Sequence, residues 1–152
     1  MPLALECDPL RLQQVLSNLL NHAIKFTHTC CIILRAYVKE GYLAFRVRDT
    51  GVGIPAKEIT RLFDPFFQVG SGVQRNFQGI GLGLATCEKL INMMDGDIEV
   101  DSEPVMGSQF VVRISIYAGP IGRASRRDRV YISVVAVPFN KNSNQTDFIL
   151  LL

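Results

Sequence analysis

The 152 residues are 48% hydrophobic and 20% charged, enough apolar content for a packed core and too little polarity for wholesale disorder. The net charge is +2, yet up to Gly119 the chain carries eleven basic and twelve acidic residues, which excludes a broad basic face for nucleic acid. One domain is expected at this length, "MPLALECDPL" lacks the basic start of a signal peptide, and no stretch reaches the roughly 20 apolar residues of a membrane span.

In chain order, "DPLRLQQVLSNLLNHAIKF" predicts a helix with Asp8 as N-cap and Pro9 in its first turn. Leu12, Val15, Leu16, Leu19, Leu20 and Ala23 recur at helical spacing and form its core stripe. Arg11, Gln14, Asn18, His22 and Lys25 are assigned to the opposite, polar side. "CIILRAYVKEGYLAFRVRDT" reads as two strands around Lys39-Glu40-Gly41, because Leu43, Phe45 and Val47 alternate with Ala44, Arg46 and Arg48. Cys30 and Cys31 then point to opposite faces. With no zinc spacing, the four cysteines Cys7, Cys30, Cys31 and Cys87 read as reduced, mostly buried thiols.

"DTGVGIPAKEITRLFDPFF" turns on glycines and starts a short helix after Pro55. The next sixteen residues, "QVGSGVQRNFQGIGLG", are polar and glycine-rich without periodicity, and loops this long are usually functional or mobile. "LATCEKLINMMDG" predicts a second helix with Gly96 as its C-cap. "DIEVDSEPVMGSQFVVRISIY" gives two strands around a Glu103–Gly107 turn. "AGPIGRASRRDR" reads as a basic linker, "VYISVVAV" as one more strand, and "NKNSNQTD" as a polar loop. Helix followed by hairpin suggests an α+β layered domain.

Two constellations carry chemistry. Gly79, Gly81 and Gly83 directly precede a helix. Glycines let backbone amides approach a ligand, and a helix N-terminus favours anions, so a phosphate-binding turn stands beside an ordinary flexible loop. In "DTGVGIP", Asp49 ends an apolar strand and is followed by Gly51 and Gly53. A carboxylate at a pocket floor can accept from an exocyclic amine such as that of adenine, although a plain turn has the same pattern.

The Asn-bearing helix, "DTGVGIP", "LFDPFFQ" and "GIGLGLA" resemble, in that order, the N, G1, F and G2 boxes of the ATP-binding catalytic domain of sensor histidine kinases, in the GHKL superfamily. The resemblance runs from about Glu6 to Tyr117. It implies a Bergerat fold, an α/β (α+β) two-layer sandwich with a helical layer on a mixed sheet, here expected to lack its N-terminal helix and strand. It divides the chain into a catalytic domain, residues 1–119, and an unassigned basic linker and tail, residues 120–152.

By resemblance, ATP and Mg²⁺ are bound. Asp49 reads the adenine amine, and Gly51 and Gly53 make room for the nucleotide beside Ile54. Asn18 and His22 face the phosphates and Mg²⁺, Lys25 approaches the phosphates, and Phe26 packs near the base. Asn18 and Lys25 are the candidate catalytic residues. Residues 68–78 form a lid carrying Arg75, braced by Phe63, Phe66 and Phe67. Gly79, Gly81, Leu82, Gly83 and Leu84 hinge it and meet the phosphates.

The implied function is presenting Mg-ATP for phosphorylation of a histidine on a separate dimerisation/phosphoacceptor domain, with a response-regulator receiver domain downstream. The implied setting is the cytoplasm, with no nucleic acid and no direct membrane contact. Departures from the pattern define an alternative. His22 stands where the family usually has Asn, Ile80 where it has Thr or a small residue, and no segment with a phospho-accepting histidine is present. The alternative is a degenerate module with weak or no ATP binding that acts in protein interaction. A superfamily ATPase is disfavoured because Asn18 stands where those enzymes place a general-base Glu.

Overall fold

The computed structural model describes residues 3–6, 8–69, 81–115, 129–132 and 148–151. The long helix α1 spans Pro9–Phe26. The Asp8 carboxylate caps it, accepting from the backbone N–H of Leu10 and Arg11 at 3.0 and 3.3 Å. Its Leu12, Val15, Leu19 and Ala23 are buried as one stripe. Burying an aliphatic side chain this fully contributes about 1.5–3 kcal/mol.

Strands β2 (Ile32–Lys39) and β3 (Tyr42–Asp49) form a hairpin in which Lys39 pairs with Tyr42. Glu40 and Gly41 turn it at φ of 53° and 81°, the two left-handed residues of a turn that matches strand twist. On β3, Leu43, Phe45, Val47 and Asp49 are buried toward the helices. After the short helix α2 (Ala56–Ile59) and the turns following it comes α3 (Gly83–Asn92), which packs on α1. Strands β4 (Gly96–Glu103) and β5 (Gly107–Ser115) form a second hairpin. Phe110, Val112 and Ile114 of β5 complete the core beneath α1 and α3.

The architecture is the expected two-layer sandwich, helices on one face of a sheet ordered β4-β5-β3-β2-β7. The sheet differs from the mixed one expected. Every described pairing is antiparallel, because two hairpins meet along the antiparallel seam of β3 and β5. The edge strand β7 (Phe148–Leu151) lies against β2. A separate pair joins β1 (Leu3–Glu6) to β6 (Arg129–Ile132), which overlaps the strand expected at "VYISVVAV".

Two local expectations are corrected. Gly96 is not the cap of α3: Asp95 takes the left-handed turn at φ 53°, and Gly96 opens β4. Glycine is needed there because a Cβ would sit 2.3 Å from the Arg113 carbonyl oxygen of β5. Cys30 and Cys31 are neither buried nor reduced. Both are exposed and disulfide-bonded to each other. Because β2 begins only at Ile32, strand alternation does not govern them.

Candidate functional site

Asp49 is the last residue of β3, and the period of two that buries Val47 carries it to the helical side, where it is 3% exposed. Its Oδ1 accepts from the Gly51 N–H at 2.8 Å and the Ser108 N–H at 3.3 Å. Burial raises its pKa above the usual carboxylate value, and the two backbone donors oppose that shift. Both described bonds fall on one oxygen, Oδ1.

The turn after Asp49 is held from two sides. Val52 donates to the Phe26 carbonyl at the end of α1 and accepts from Val105 in the β4–β5 turn. A Cβ on Gly51 would lie 2.4 Å from the Phe26 oxygen, and one on Gly53 would lie 1.9 Å from the Glu103 oxygen. The demand for glycine at both positions comes from this chain's own backbone. Ile54 is a core residue, 3% exposed, and its N–H donates to Ser102 Oγ at 2.8 Å.

The sequence reading missed the partners of this turn. Ser102 donates to the Gly107 carbonyl at 2.9 Å and shares a 2.8 Å bond with Ser108 Oγ. Gly107, at φ 95°, brings its backbone so close that a Cβ would lie 2.0 Å from the Asp49 oxygen. The only available signal was "SEPVMGS", a turn bracketed by serines, and nothing local ties it to Asp49.

Asn18 reaches the other end of the site. Its Nδ2 donates to the Gly83 carbonyl at 3.3 Å, tying the middle of α1 to the first turn of α3. The buried Cys87 thiol donates to the Val15 carbonyl at 3.7 Å, and burial pushes its pKa up to about 11 against the lowering effect of Asn18. Helix α3 starts without a side-chain cap at Leu82, and a Cβ on Gly83 would meet nothing within 4 Å. Among the described residues, no side chain caps its first amides, the kind of helix start that favours an anion. Gly81, at φ 74°, packs against the Phe66–Phe67 backbone, and its carbonyl accepts from the Phe66 N–H at 3.0 Å. Leu82 is exposed, whereas Leu84 packs against the core. From Asn18 to Phe26 is eight residues of helix, about 12 Å, so α1 links the Gly83 end to the Gly51 end along one side.

His22 lies between these ends and is not on the polar edge where the sequence reading put it. Its ring sits 4.6 Å from the Phe26 ring and 5.4 Å from that of Phe110, edge-on. Its Nδ1 is buried with no hydrogen-bond partner among the described residues. Burial, then the charge of Lys25, lowers its pKa to about 4, so the imidazole is neutral at physiological pH. Lys25 holds its ammonium 5.3 Å over the Phe26 ring. Phe63 packs on the core, Phe67 lies beneath the Arg61 guanidinium at 4.7 Å, and Phe66 is 70% exposed. Arg75, Gly79, Ile80 and all but the first two residues of the expected lid lie outside the described residues.

Residues 7–118 match the family described as histidine kinase-, DNA gyrase B-, and HSP90-like ATPases. The chain belongs to this family. It is 74% identical over 116 residues to the sensor histidine kinase RcsC of Escherichia coli strain K12, covering 76% of this chain and 12% of that protein. It is 41% identical over 120 residues to the sensor protein GacS of Pseudomonas syringae pv. syringae, covering 76% of this chain and 13% of that one. The chain thus spans about an eighth of the length of these curated relatives. Among solved structures, the mycobacterial sensor histidine kinase MprB superposes with a TM-score of 0.66 at 26% identity, covering 74% of this chain and 76% of that one. Full-length ShkA in complex with AMPPNP gives 0.60 at 33% identity, covering 73% and 23%. Among the described residues, no helix is long and apolar enough to cross a membrane, and no group of three or more His, Cys, Asp or Glu is placed to hold a metal.

Proposed function

We propose that residues 1–119 carry the ATP-binding catalytic module of a sensor histidine kinase, with strand β7 of the tail added at the edge of its sheet. The module presents the γ-phosphate of ATP to a histidine on a separate dimerisation/phosphoacceptor domain, and a response-regulator receiver domain takes the phosphoryl group onward. It works on the cytoplasmic side, without contact to nucleic acid or to the bilayer. The observation that carries this reading is the buried Asp49 carboxylate, held through Oδ1, near the C-terminal end of α1, with the start of α3 tied to the middle of α1 by Asn18.

In this mechanism Asp49 Oδ2 accepts from the adenine amine, and Phe26 packs near the base. The α3 amides beside Gly81 and Gly83 receive the phosphates, and Lys25 neutralises their charge. Asn18 holds the start of α3 through Gly83, and with its Nδ2 so engaged its carbonyl oxygen remains a hard donor toward the phosphate region. Positioning and charge neutralisation supply most of the rate in phosphoryl transfer.

Magnesium is a separate matter. When bound, Mg²⁺ would neutralise phosphate charge. It takes oxygen ligands in near-octahedral array, which suits Asn18 and not a neutral imidazole wedged between two phenyl rings. His22 does not fit a magnesium position, and no step is assigned to it there. This favours, as a second reading, a module whose nucleotide binding is weak and little dependent on Mg²⁺.

The test is calorimetric titration of ATP with and without Mg²⁺ into wild type and Asp49→Asn, followed by phosphotransfer to an added phosphoacceptor domain. Losing a charge-assisted hydrogen bond costs roughly 1.5–3 kcal/mol, about tenfold to a hundredfold in affinity. An unchanged dissociation constant removes Asp49 from the site. Binding without phosphotransfer selects the second reading.

A further inference from the structure

The Cys30–Cys31 pair has no part in the roles assigned above. Both side chains are exposed and their sulfurs are bonded. Cys30 holds φ at 71°, a conformation that residues with a Cβ adopt rarely. Cys87 is buried and its thiol is pushed away from ionisation, so it does not compete for exchange.

The pair is laced to the turn that follows Asp49. The Cys31 N–H donates to Thr50 Oγ1 at 3.1 Å, and the Thr50 N–H donates back to the Cys31 carbonyl at 3.2 Å. The Thr50 hydroxyl donates to the Thr29 carbonyl at 3.1 Å. One residue on, Gly51 donates to Asp49 Oδ1, and Val52 donates to Phe26. Residues 26–31 and 49–52 therefore form one hydrogen-bonded unit with an exposed sulfur pair at its rim.

We propose that Cys30 and Cys31 form a thiol–disulfide exchange site whose oxidation state sets the order of the Thr50 turn. The oxidant is a low-molecular-weight disulfide. One cysteine thiolate attacks a sulfur of that disulfide, forming a mixed disulfide and releasing one small thiol. The adjacent thiolate attacks the cysteine sulfur of the mixed disulfide, closes the Cys30–Cys31 bond and releases the second small thiol. The two cysteines lose two electrons and two protons, and the small disulfide gains both. The closed ring holds residues 30 and 31 in the conformation that meets Thr50. Reduction frees Cys30 from its left-handed backbone and loosens the Cys31–Thr50 bonds.

The experiment treats the intact chain with oxidised glutathione or with dithiothreitol. It reads intact mass, disulfide location by peptide mapping, and amide hydrogen exchange across residues 49–52, so it does not depend on nucleotide binding. The oxidised protein is expected to be lighter by two hydrogens, mapped to Cys30–Cys31. Its Thr50 amide should exchange roughly fivefold more slowly than in the reduced protein, the effect of about one net hydrogen bond. Cys30→Ser should trap one glutathione as a mixed disulfide and lose the redox dependence at Thr50. Cys30→Gly, which accepts the same φ, should lose that dependence while staying folded. Separate glutathione adducts on both cysteines, pairing of either with Cys7, or equal Thr50 exchange in both states would overturn the proposal.

Discussion

The two ends of the candidate site are built differently. At the Asp49 end, the glycine turn is pressed against the chain's own backbone on several sides, and Oδ1 is fixed by two N–H donors. At the Gly83 end, among the described residues, the helix start has no side-chain cap and a Cβ on the glycine would meet nothing within 4 Å. The first end is complete before any ligand arrives. The second has no described cap, and unmatched groups are where a ligand gains most. On the proposed reading, the base end is preformed, while the phosphate end depends on what binds there.

The sharpest way to break this comparison is a methyl group at each end. Gly107→Ala places a Cβ on the Asp49 carbonyl at a φ of 95°, and a loss of about 3 kcal/mol or more is expected in urea denaturation. A loss below 1 kcal/mol would mean the Asp49 end is not rigid.

Acid titration probes His22, between the two ends. The His22 pKa falls from 6.5 unfolded to about 4 folded, so the unfolded chain takes up the proton first. That contribution to stability is whole above pH 6.5 and is lost as the pH falls toward 4, by about 3 kcal/mol. Asp49 shifts in the opposite sense at the acid end of this range, because its raised pKa favours the folded state as it protonates. Urea midpoints measured from pH 7 to 4.5 should fall steeply in wild type and much less in His22→Asn. Parallel curves would place His22 in solvent.

Ser102→Ala removes the acceptor for Ile54 and the donor to Gly107, and about 1–2 kcal/mol should be lost, visible as a lower melting temperature. The smallest effect has the opposite sign. Gly83→Ala meets no atom within 4 Å, and alanine favours a helix, so stability should rise by about 0.5–1 kcal/mol while ATP affinity falls. Unchanged affinity would show that the start of α3 is not the phosphate end.

Much of the fold was legible because it is local. Asp8 caps within three residues, the Leu12–Ala23 stripe follows a 3.6-residue period, and Glu40-Gly41 turns a hairpin whose strands alternate. Strand alternation also put Asp49 on the helical side. The end of α3 was misread because a glycine after a helix signals a cap, whereas Gly96 answers to the approach of Arg113 seventeen residues later.

By itself, then, the sequence determined the elements, their order and the identity of the carboxylate and glycine motifs, since these depend on neighbours within a helical turn or a strand pair. Tertiary structure decided what those motifs touch. His22 borders the apolar stripe, and its side was settled only when β5 brought Phe110 beneath it. Gly107 and Ser108 close on Asp49 only because β5 pairs with β3 in one register, Arg48 opposite Gln109. A contact between residues more than fifty apart costs loop entropy that only the assembled sheet offsets, so no local pattern announces it.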